Sequence, residues 1–142
     1  MMKSGSCLCG AVRYNSNGPW RDVISCHCNT CRKTSGHFWA ATAVPTEALN
    51  IVDTGELVWF QSSAVARRGF CRQCGSSLFY RHNDKSYAAI GAGSLDQPSG
   101  LRLVEEVFTH EKGDYYDLTP GIPHAAEWSA HWRAEDAAGL SS

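Results

Sequence analysis

The sequence predicts a mainly β domain of about eight short strands, with one short helix in the body of the chain and a helical or irregular tail. Short runs of β-branched and aromatic residues recur between turn signals that contain Gly, Pro, Asp and Asn. Sustained helical periodicity is missing from the body of the chain. The length of 142 residues suits one domain with a single core.

The predicted strands follow one another along the chain. The run at 38–44 is aromatic and apolar until Pro45 ends it, and the run at 101–107 alternates after a loop with Pro and Gly. The runs on either side of the turn residues Thr54 and Gly55 are expected to pair as a hairpin. The predicted strands other than 38–44 and 101–107 span residues 11–14, 23–26, 50–53, 56–60, 64–70, 77–81 and 87–90.

Two helices are expected. The first is short and runs from Asn29 to Thr34, where Gly36 ends it. The second lies in the tail at 125–138, where Trp128 and Trp132 would share one face at an i, i+4 spacing. Paired Trp side chains on such a polar segment are expected to pack against the domain or another subunit.

Composition excludes several classes of function. The net charge is -1 and the sequence pI about 6.6, so no strong field attracts nucleic acid or an anionic membrane surface. No apolar run approaches the ~20 residues that a membrane-spanning helix needs. The N-terminus leads into Cys7 without the apolar segment of a secretory signal, so a cytoplasmic location is expected.

The cysteines are the strongest functional signal. Their odd number would leave one thiol over in a disulfide framework, and close neighbours such as Cys7 and Cys9 would need strained loops. Buried free thiols would be scattered singly rather than clustered. We therefore favour metal binding for the seven cysteines, which stand in three clusters at Cys7 and Cys9, at Cys26, Cys28 and Cys31, and at Cys71 and Cys74.

Two of the clusters resemble halves of a structural zinc site. Cys71 and Cys74 are separated by two residues and followed by Gly75, a spacing that lets both sulfurs face one ion. Cys7 and Cys9 form a second pair, again followed by glycine, and residues at i and i+2 of a strand share a face. Joining the pairs would give a site with four sulfur ligands.

The middle cluster would hold a different kind of zinc. Cys26, Cys28 and Cys31 can cover one side of an ion, and three protein ligands with an open position are typical of catalytic zinc. If two zincs bind, seven cysteines divide into four and three, but the spacing also allows Cys26 and Cys28 to join the last pair. His27 could supply a further ligand, but it lies between two ligands and in an extended stretch is expected to point away from the metal, towards solvent or neighbouring groups.

The segments around the three clusters, at 5–14, 26–36 and 70–80, together with 91–98 and 120–123, resemble the glutathione-dependent formaldehyde-activating enzyme family, also named for centromere protein V. The resemblance implies an Mss4-like fold of twisted antiparallel sheets with a zinc-ribbon-like structural site. It assigns residues 1–123 to a zinc-binding domain and leaves 124–142 as a tail.

The resemblance also assigns the ligands, the cofactor and the activity. It implies two Zn²⁺ ions and a carbon–sulfur lyase that acts on thiol–aldehyde adducts, as in reversible formation of S-hydroxymethylglutathione from glutathione and formaldehyde. A small thiol such as glutathione is the expected partner, while the oligomeric state stays open. The structural zinc is assigned to Cys7, Cys9, Cys71 and Cys74, and the catalytic-type zinc to Cys26, Cys28 and Cys31.

Substrate contacts are expected beside the middle cluster. Arg32 could offset thiolate charge and meet substrate carboxylates, whereas Ser35 and Gly36 could line the entrance. A solvated charge and an ordinary helix stop are the simpler interpretations of these residues. The alternative functions are a zinc-stabilised Mss4-like binding module without catalysis and a metal-free, redox-sensing thiol cluster; the three-ligand cluster favours the enzyme.

Overall fold

The computed structural model describes residues 1–128, and these residues form ten strands and one α-helix. The prediction of a mainly β chain is confirmed, as is the short helix α1 ended by Gly36 in a left-handed conformation. Short 3₁₀ turns cover Thr46–Ala48, Ala92–Ser94 and Thr109–Glu111. The elements are β1 Lys3–Ser6, β2 Val12–Ser16, β3 Val23–Cys26, α1 Asn29–Ser35, β4 Trp39–Pro45, β5 Asn50–Asp53, β6 Leu57–Gln61, β7 Ala66–Cys71, β8 Ser77–His82, β9 Tyr87–Gly91 and β10 Leu103–Val107.

The described strands make two sheets. The smaller has the order β1-β2-β5 and is antiparallel, and the larger has the order β10-β3-β4-β9-β8-β7-β6. All neighbours in the larger sheet are antiparallel except β10 and β3, which run parallel. The expectation of purely antiparallel sheets is wrong at this pair, because six strands of chain separate β3 from β10 and no hairpin imposes their direction.

The hairpin expected between β5 and β6 is also wrong. β5 pairs with β2 in the smaller sheet, whereas β6 pairs with β7 in the larger one. Asp53 Oδ1 accepts hydrogen bonds from the backbone N–H groups of Gly55 at 2.9 Å and Leu57 at 3.1 Å. The turn signal is therefore real, but the turn carries the chain from one sheet to the other.

The described start of the tail adds to the parallel edge of the larger sheet. The N–H of Ala125 donates to the carbonyl of Glu106 at 2.9 Å, and the N–H of Phe108 donates to Glu127 at 3.0 Å. Residues 125–128 are irregular rather than helical. The rest of the predicted helix at 125–138, including Trp132, lies outside the described residues.

Buried side chains form two clusters, and each contains cysteines. In the main core, Tyr14 packs edge-on against Phe79 with ring centroids 5.4 Å apart, and Cys7 and Cys71 belong to the same cluster. The smaller cluster groups Cys31, Trp39, Ala41 and Ala89. No helix among residues 1–128 is both long and apolar enough to cross a membrane.

Two candidate metal centres

The four-cysteine cluster (Cys7, Cys9, Cys71 and Cys74) joins two turns that are far apart in sequence. All four sulfurs lie within 4.8 Å of one another. Cys9 Sγ is 3.6 Å from Cys7 Sγ and 3.7 Å from Cys71 Sγ. A tetrahedral ion with metal–sulfur bonds of about 2.3 Å places its sulfurs about 3.8 Å apart, so these sulfurs already stand at the spacing of a zinc site.

Both turns owe their shape to glycine. Gly10 and Gly75 have φ values of 81° and 79°, a region that residues with a Cβ rarely adopt. The N–H of Gly75 donates to the carbonyl of Cys71 at 2.8 Å, and the N–H of Gly10 donates to that of Cys7 at 3.2 Å. The two turns therefore curl alike, each presenting its pair of sulfurs to the same point.

Backbone groups stabilise negative charge on two of these sulfurs, those of Cys7 and Cys74. The N–H of Val12 donates to Cys7 Sγ at 3.3 Å. Hydrogen bonds from the Ser76 hydroxyl and from backbone N–H groups lower the pKa of Cys74 to about 5. Thiolates are the form that binds metal, so the turns prepare the cluster for a cation.

The three-cysteine cluster (Cys26, Cys28 and Cys31) lies where β3 passes into α1. Its sulfurs also lie within 4.8 Å of one another. Cys28 is the N-cap of the helix, and its Sγ accepts a hydrogen bond from the N–H of Cys31 at 3.3 Å. The helix thus brings its first-turn cysteine back towards the two that precede it.

Three thiols this close cannot all ionise without a cation. Hydrogen bonds from the thiols of Cys26 and Cys31 hold the pKa of Cys28 well below its usual range. The neighbouring Cys28 and Cys31 sulfurs raise the pKa of Cys26. The metal-free cluster therefore shares protons around one thiolate, and a divalent cation is the group that would let all three deprotonate.

Arg68 on β7 supplies positive charge to this cluster. Its Nη2 donates to Cys31 Sγ at 3.3 Å. The guanidinium carbon lies 5.1 Å from the ring centroid of Tyr80 and 5.7 Å from that of Trp39. Its Nε is buried and has no hydrogen-bond partner in the described part of the chain. The aromatic rings hold the cation against the sulfur while one N–H stays uncommitted.

A cavity of about 240 Å³ opens beside the three-cysteine cluster. Its wall contains all three cysteines of that cluster and none of the four-cysteine cluster. Among the described residues, the cations on the wall are Arg21 and Arg68; burial lowers the pKa of Arg21 to about 10, so Arg21 stays charged at neutral pH. The aromatic residues on the wall are Trp39, Tyr80, Tyr87, Phe108 and Trp128.

His27 points away from the sulfurs, as expected from its place between two of them. It is fully buried, so of the two expected environments solvent is wrong and contact with neighbouring groups is correct. Its Nε2 lies 2.9 Å from Ser25 Oγ and 3.3 Å from Glu106 Oε1, and its Nδ1 contacts the hydroxyl of Tyr116. Burial lowers the pKa of His27, while the Glu106 carboxylate opposes that shift. The histidine thus anchors the β3–β10 edge behind the cluster.

The residues predicted to contact substrate lie on α1, away from the wall of the cavity. Arg32 donates to Asn29 Oδ1 at 2.9 Å. Ser35 Oγ donates to the carbonyls of Cys31 at 2.7 Å and His37 at 2.8 Å, and Gly36 is the C-cap. In this structure Arg32 lies within the helix, Ser35 and Gly36 end it, and none of the three belongs to the cavity wall.

Sequence reasoning missed the two arginines of the cavity. Arg21 precedes β3 and Arg68 lies in the middle of β7, and only the pairing order of the larger sheet brings them to one cavity. Arg68 follows Arg67 directly, and because successive residues of a strand face opposite sides, only one of the pair could meet the cluster. The sequence offers no signal for which one.

The chain is similar to known proteins over most of its length. The sequence profile of a family described as "Glutathione-dependent formaldehyde-activating enzyme" matches residues 2–111. A protein of Schizosaccharomyces pombe named an uncharacterized lyase is 29% identical over 116 residues, covering 80% of this chain and 83% of the relative. A Halomonas elongata protein named as a candidate glutathione-dependent formaldehyde-activating enzyme is 32% identical over 87 residues, 56% of this chain and 55% of its own.

One solved structure is similar in fold. A crystal structure of a Rhodobacter sphaeroides protein superposes with a TM-score of 0.59 at 19% sequence identity. The match covers 85% of this chain and 98% of that protein. At this identity the likeness concerns the fold alone.

Proposed function

The chain belongs to the glutathione-dependent formaldehyde-activating enzyme family, and we propose that it is a zinc-dependent carbon–sulfur lyase that forms and cleaves thiol–aldehyde adducts of the S-hydroxymethylglutathione type. The observation that carries the proposal is the three-cysteine cluster on the wall of a cavity. Three protein ligands leave a fourth position of a tetrahedral ion open. The names of two relatives support a lyase and support glutathione with formaldehyde as the first pair to test.

Zinc fits the donors of both clusters. All seven candidate ligands are cysteine sulfurs, and thiolates at tetrahedral spacing select zinc over magnesium, calcium or manganese. In the proposal the four-cysteine cluster holds a structural zinc. Cys26, Cys28 and Cys31 hold a catalytic-type zinc, which when bound supplies a Lewis acid that favours the thiolate form of a coordinating thiol.

The proposed reaction is balanced without an oxidant or reductant. A thiol sulfur forms a bond to the carbonyl carbon of an aldehyde, the carbonyl π bond breaks, and the proton that leaves sulfur ends on the new hydroxyl oxygen. The reverse reaction breaks the carbon–sulfur bond. Holding thiol and aldehyde together in the cavity replaces a two-body encounter by an intramolecular step.

Arg68 is proposed to stabilise the charge that develops in this reaction. Its guanidinium touches Cys31 Sγ and lines the cavity. An N–H donor fixed near a developing alkoxide lowers the barrier because it needs no reorganisation. Tyr80 lies under the guanidinium, and burial raises the pKa of Tyr80 to about 12, so its phenol stays protonated at neutral pH.

The remaining assignments complete the proposal. We place the zinc-binding domain at residues 1–123 and treat 124–142 as its tail. The ligand is a small thiol, and the protein acts in the cytoplasm, where thiols are kept reduced. Neither nucleic acid nor a membrane is a partner in this proposal, since the net charge of -1 offers no strong field. A zinc-stabilised binding module without catalysis is the competing function.

Exchange NMR tests the proposal. Because glutathione and carbon-13-labelled formaldehyde react spontaneously, the measured quantity is the rate of interconversion of formaldehyde and adduct with and without zinc-loaded protein. We expect the rate to rise in proportion to protein and to return to the spontaneous value in Cys28→Ser. Lys33→Ala is the matched control, since Lys33 is exposed on the same helix and absent from the cavity wall. A folded, zinc-loaded protein that leaves the rate unchanged would favour the binding module.

A further inference from the structure

The cavity beside the three-cysteine cluster is unusually apolar for a peptide thiol. Five aromatic residues and several aliphatic ones form its wall, and no Asp or Glu belongs to it among the described residues. Glutathione carries an ammonium group and two carboxylates. The ammonium would find no acidic partner on this wall and would face two arginines instead.

Only part of the wall's positive charge is available to a ligand. Arg21 already donates through Nη2 to the carbonyl of Ala41 at 2.6 Å. Arg68 is held at the sulfur of Cys31, so its charge lies beside the reacting atoms. In that position it is poorly placed to bind a glutathione carboxylate, which is remote from the reacting sulfur. Apart from the hydroxyl side chains of Thr30, Ser62 and Ser63, the rest of the described wall is mainly ring faces and aliphatic groups, which favour apolar atoms.

The volume of the cavity also favours a compact apolar group. Cavities that hold drug-sized ligands measure about 300–1,000 Å³, and this one measures about 240 Å³. Formaldehyde, with two heavy atoms, would leave most of this space unfilled. A group of the size of a benzene ring beside the sulfur would fill much of it.

The rim is built from aromatic side chains in defined positions. Phe108 has a φ of 54°, a left-handed conformation that is rare for a bulky residue. Its ring packs edge-on against Trp128 at 5.1 Å, and its N–H is bonded to the carbonyl of Glu127. The backbone of the described tail start thus holds both rings at the cavity.

We propose that the adduct handled at this site carries an aromatic or branched apolar group that fills the cavity. This inference rests on the proposed lyase function and names its substrate class. This apolar group can be the substituent of the aldehyde or that of the thiol. In both cases it packs against the same aromatic rings of the cavity.

Three substrate pairs show whether the apolar group comes from the aldehyde or from the thiol. The reference pair is glutathione with formaldehyde, the second is glutathione with phenylacetaldehyde, and the third is benzyl mercaptan with formaldehyde. Exchange rates are measured on zinc-loaded protein for each pair. We expect one of the apolar pairs to have a kcat/KM at least about tenfold above that of the reference pair, because its apolar group is buried in a fitted cavity. The reference pair as the best substrate would overturn the inference.

A binding measurement decides the inference independently of turnover. Calorimetric titration of the zinc-loaded protein with benzyl mercaptan and with glutathione compares the two ligand classes directly. If no pair is turned over, the lyase proposal fails, yet benzyl mercaptan binding at least about tenfold more tightly than glutathione still supports an apolar ligand. Equal or tighter binding of glutathione, together with no gain in kcat/KM when phenylacetaldehyde replaces formaldehyde, overturns it.

Two variants tie the preference to the cavity. Ala89→Phe adds a ring where the buried Ala89 meets the cavity, and Trp128→Ala removes a half-exposed ring from the rim. Both variants are expected to bring the ratio of kcat/KM for the preferred apolar pair to kcat/KM for the reference pair towards one. Phe60→Ala is the matched control, since Phe60 is 54% exposed, like the rim tryptophan, and absent from the wall. A ratio that changes equally in the control would contradict the assignment.

Discussion

The two cysteine clusters use the same ligand atoms in different surroundings. The four sulfurs of the first cluster come from two turns that face each other, and Cys7 and Cys71 are part of the main core. The three sulfurs of the second come from a single stretch at the start of α1, and beyond them lie a cavity and an arginine. The first cluster offers a complete coordination shell and the second an incomplete one, so the first suits stability and the second reactivity.

Cys71→Ser is the substitution with the largest expected effect. Cys71 is fully buried, and its cluster joins the β1–β2 turn to the β7–β8 turn. Loss of a structural zinc is expected to cost about 5 kcal/mol or more, comparable to the whole stability of a small domain. Circular dichroism should show no cooperative thermal transition near that of the wild type. A melting curve like the wild type's would mean that the four-cysteine cluster is not structural.

Cys28→Ser is expected to abolish activity while the fold is retained, the opposite of a loss of the fold. Activity is expected to fall to the spontaneous rate, while the melting temperature changes by less than about 5 °C because the four-cysteine cluster is intact. Thermal melts and exchange NMR on the same preparation measure both quantities. A variant that unfolds as Cys71→Ser does would place the three-cysteine cluster in the structural role.

Chelation separates the clusters without mutation. A site with three protein ligands exposes its metal to a competing chelator, whereas four ligands enclose it. Zinc release followed with a metallochromic dye should show one equivalent lost early together with activity, and a second lost only with the fold. Release of both equivalents in one phase with loss of ellipticity would remove the distinction.

Arg68→Ala is expected to have the smallest effect of this series. Without the guanidinium at Cys31 Sγ, we expect at least about a tenfold loss of kcat/KM with the fold retained. Arg67→Ala is the matched control on the same strand, because the guanidinium of Arg67 lies 4.8 Å from the Trp59 ring instead. Equal losses in both variants would indicate a general effect of charge.

Local signals were readable from the sequence. α1 was expected because Gly36 ends it, and most strands were expected because β-branched runs lie between turn residues. β1 was missed because Lys3, Ser4, Gly5 and Ser6 have no β propensity, and the strand forms only by pairing with β2. Local chemistry therefore predicted elements that form by their own pattern and missed one that depends on its neighbour.

Long-range pairing was beyond the sequence. The cysteine count predicted a division into four and three but left open which pairs form the four, and only the family resemblance assigned them. The structure brings together the groups that the resemblance assigned. The places of β5 and β10 depended on which strands pair, which periodicity does not encode. For the same reason the cavity wall, with Arg21 before β3 and Arg68 on β7, could not be foreseen.

The number of zinc ions per polypeptide shows whether both cysteine clusters hold a metal. Protein produced with added zinc and purified without chelator is measured by elemental analysis, beside Cys28→Ser prepared in the same way. One closed and one open site predict a value near two for the wild type and near one for the folded variant. A wild-type value near one that does not rise when zinc is added would contradict the account, because the three-cysteine cluster would then hold no metal.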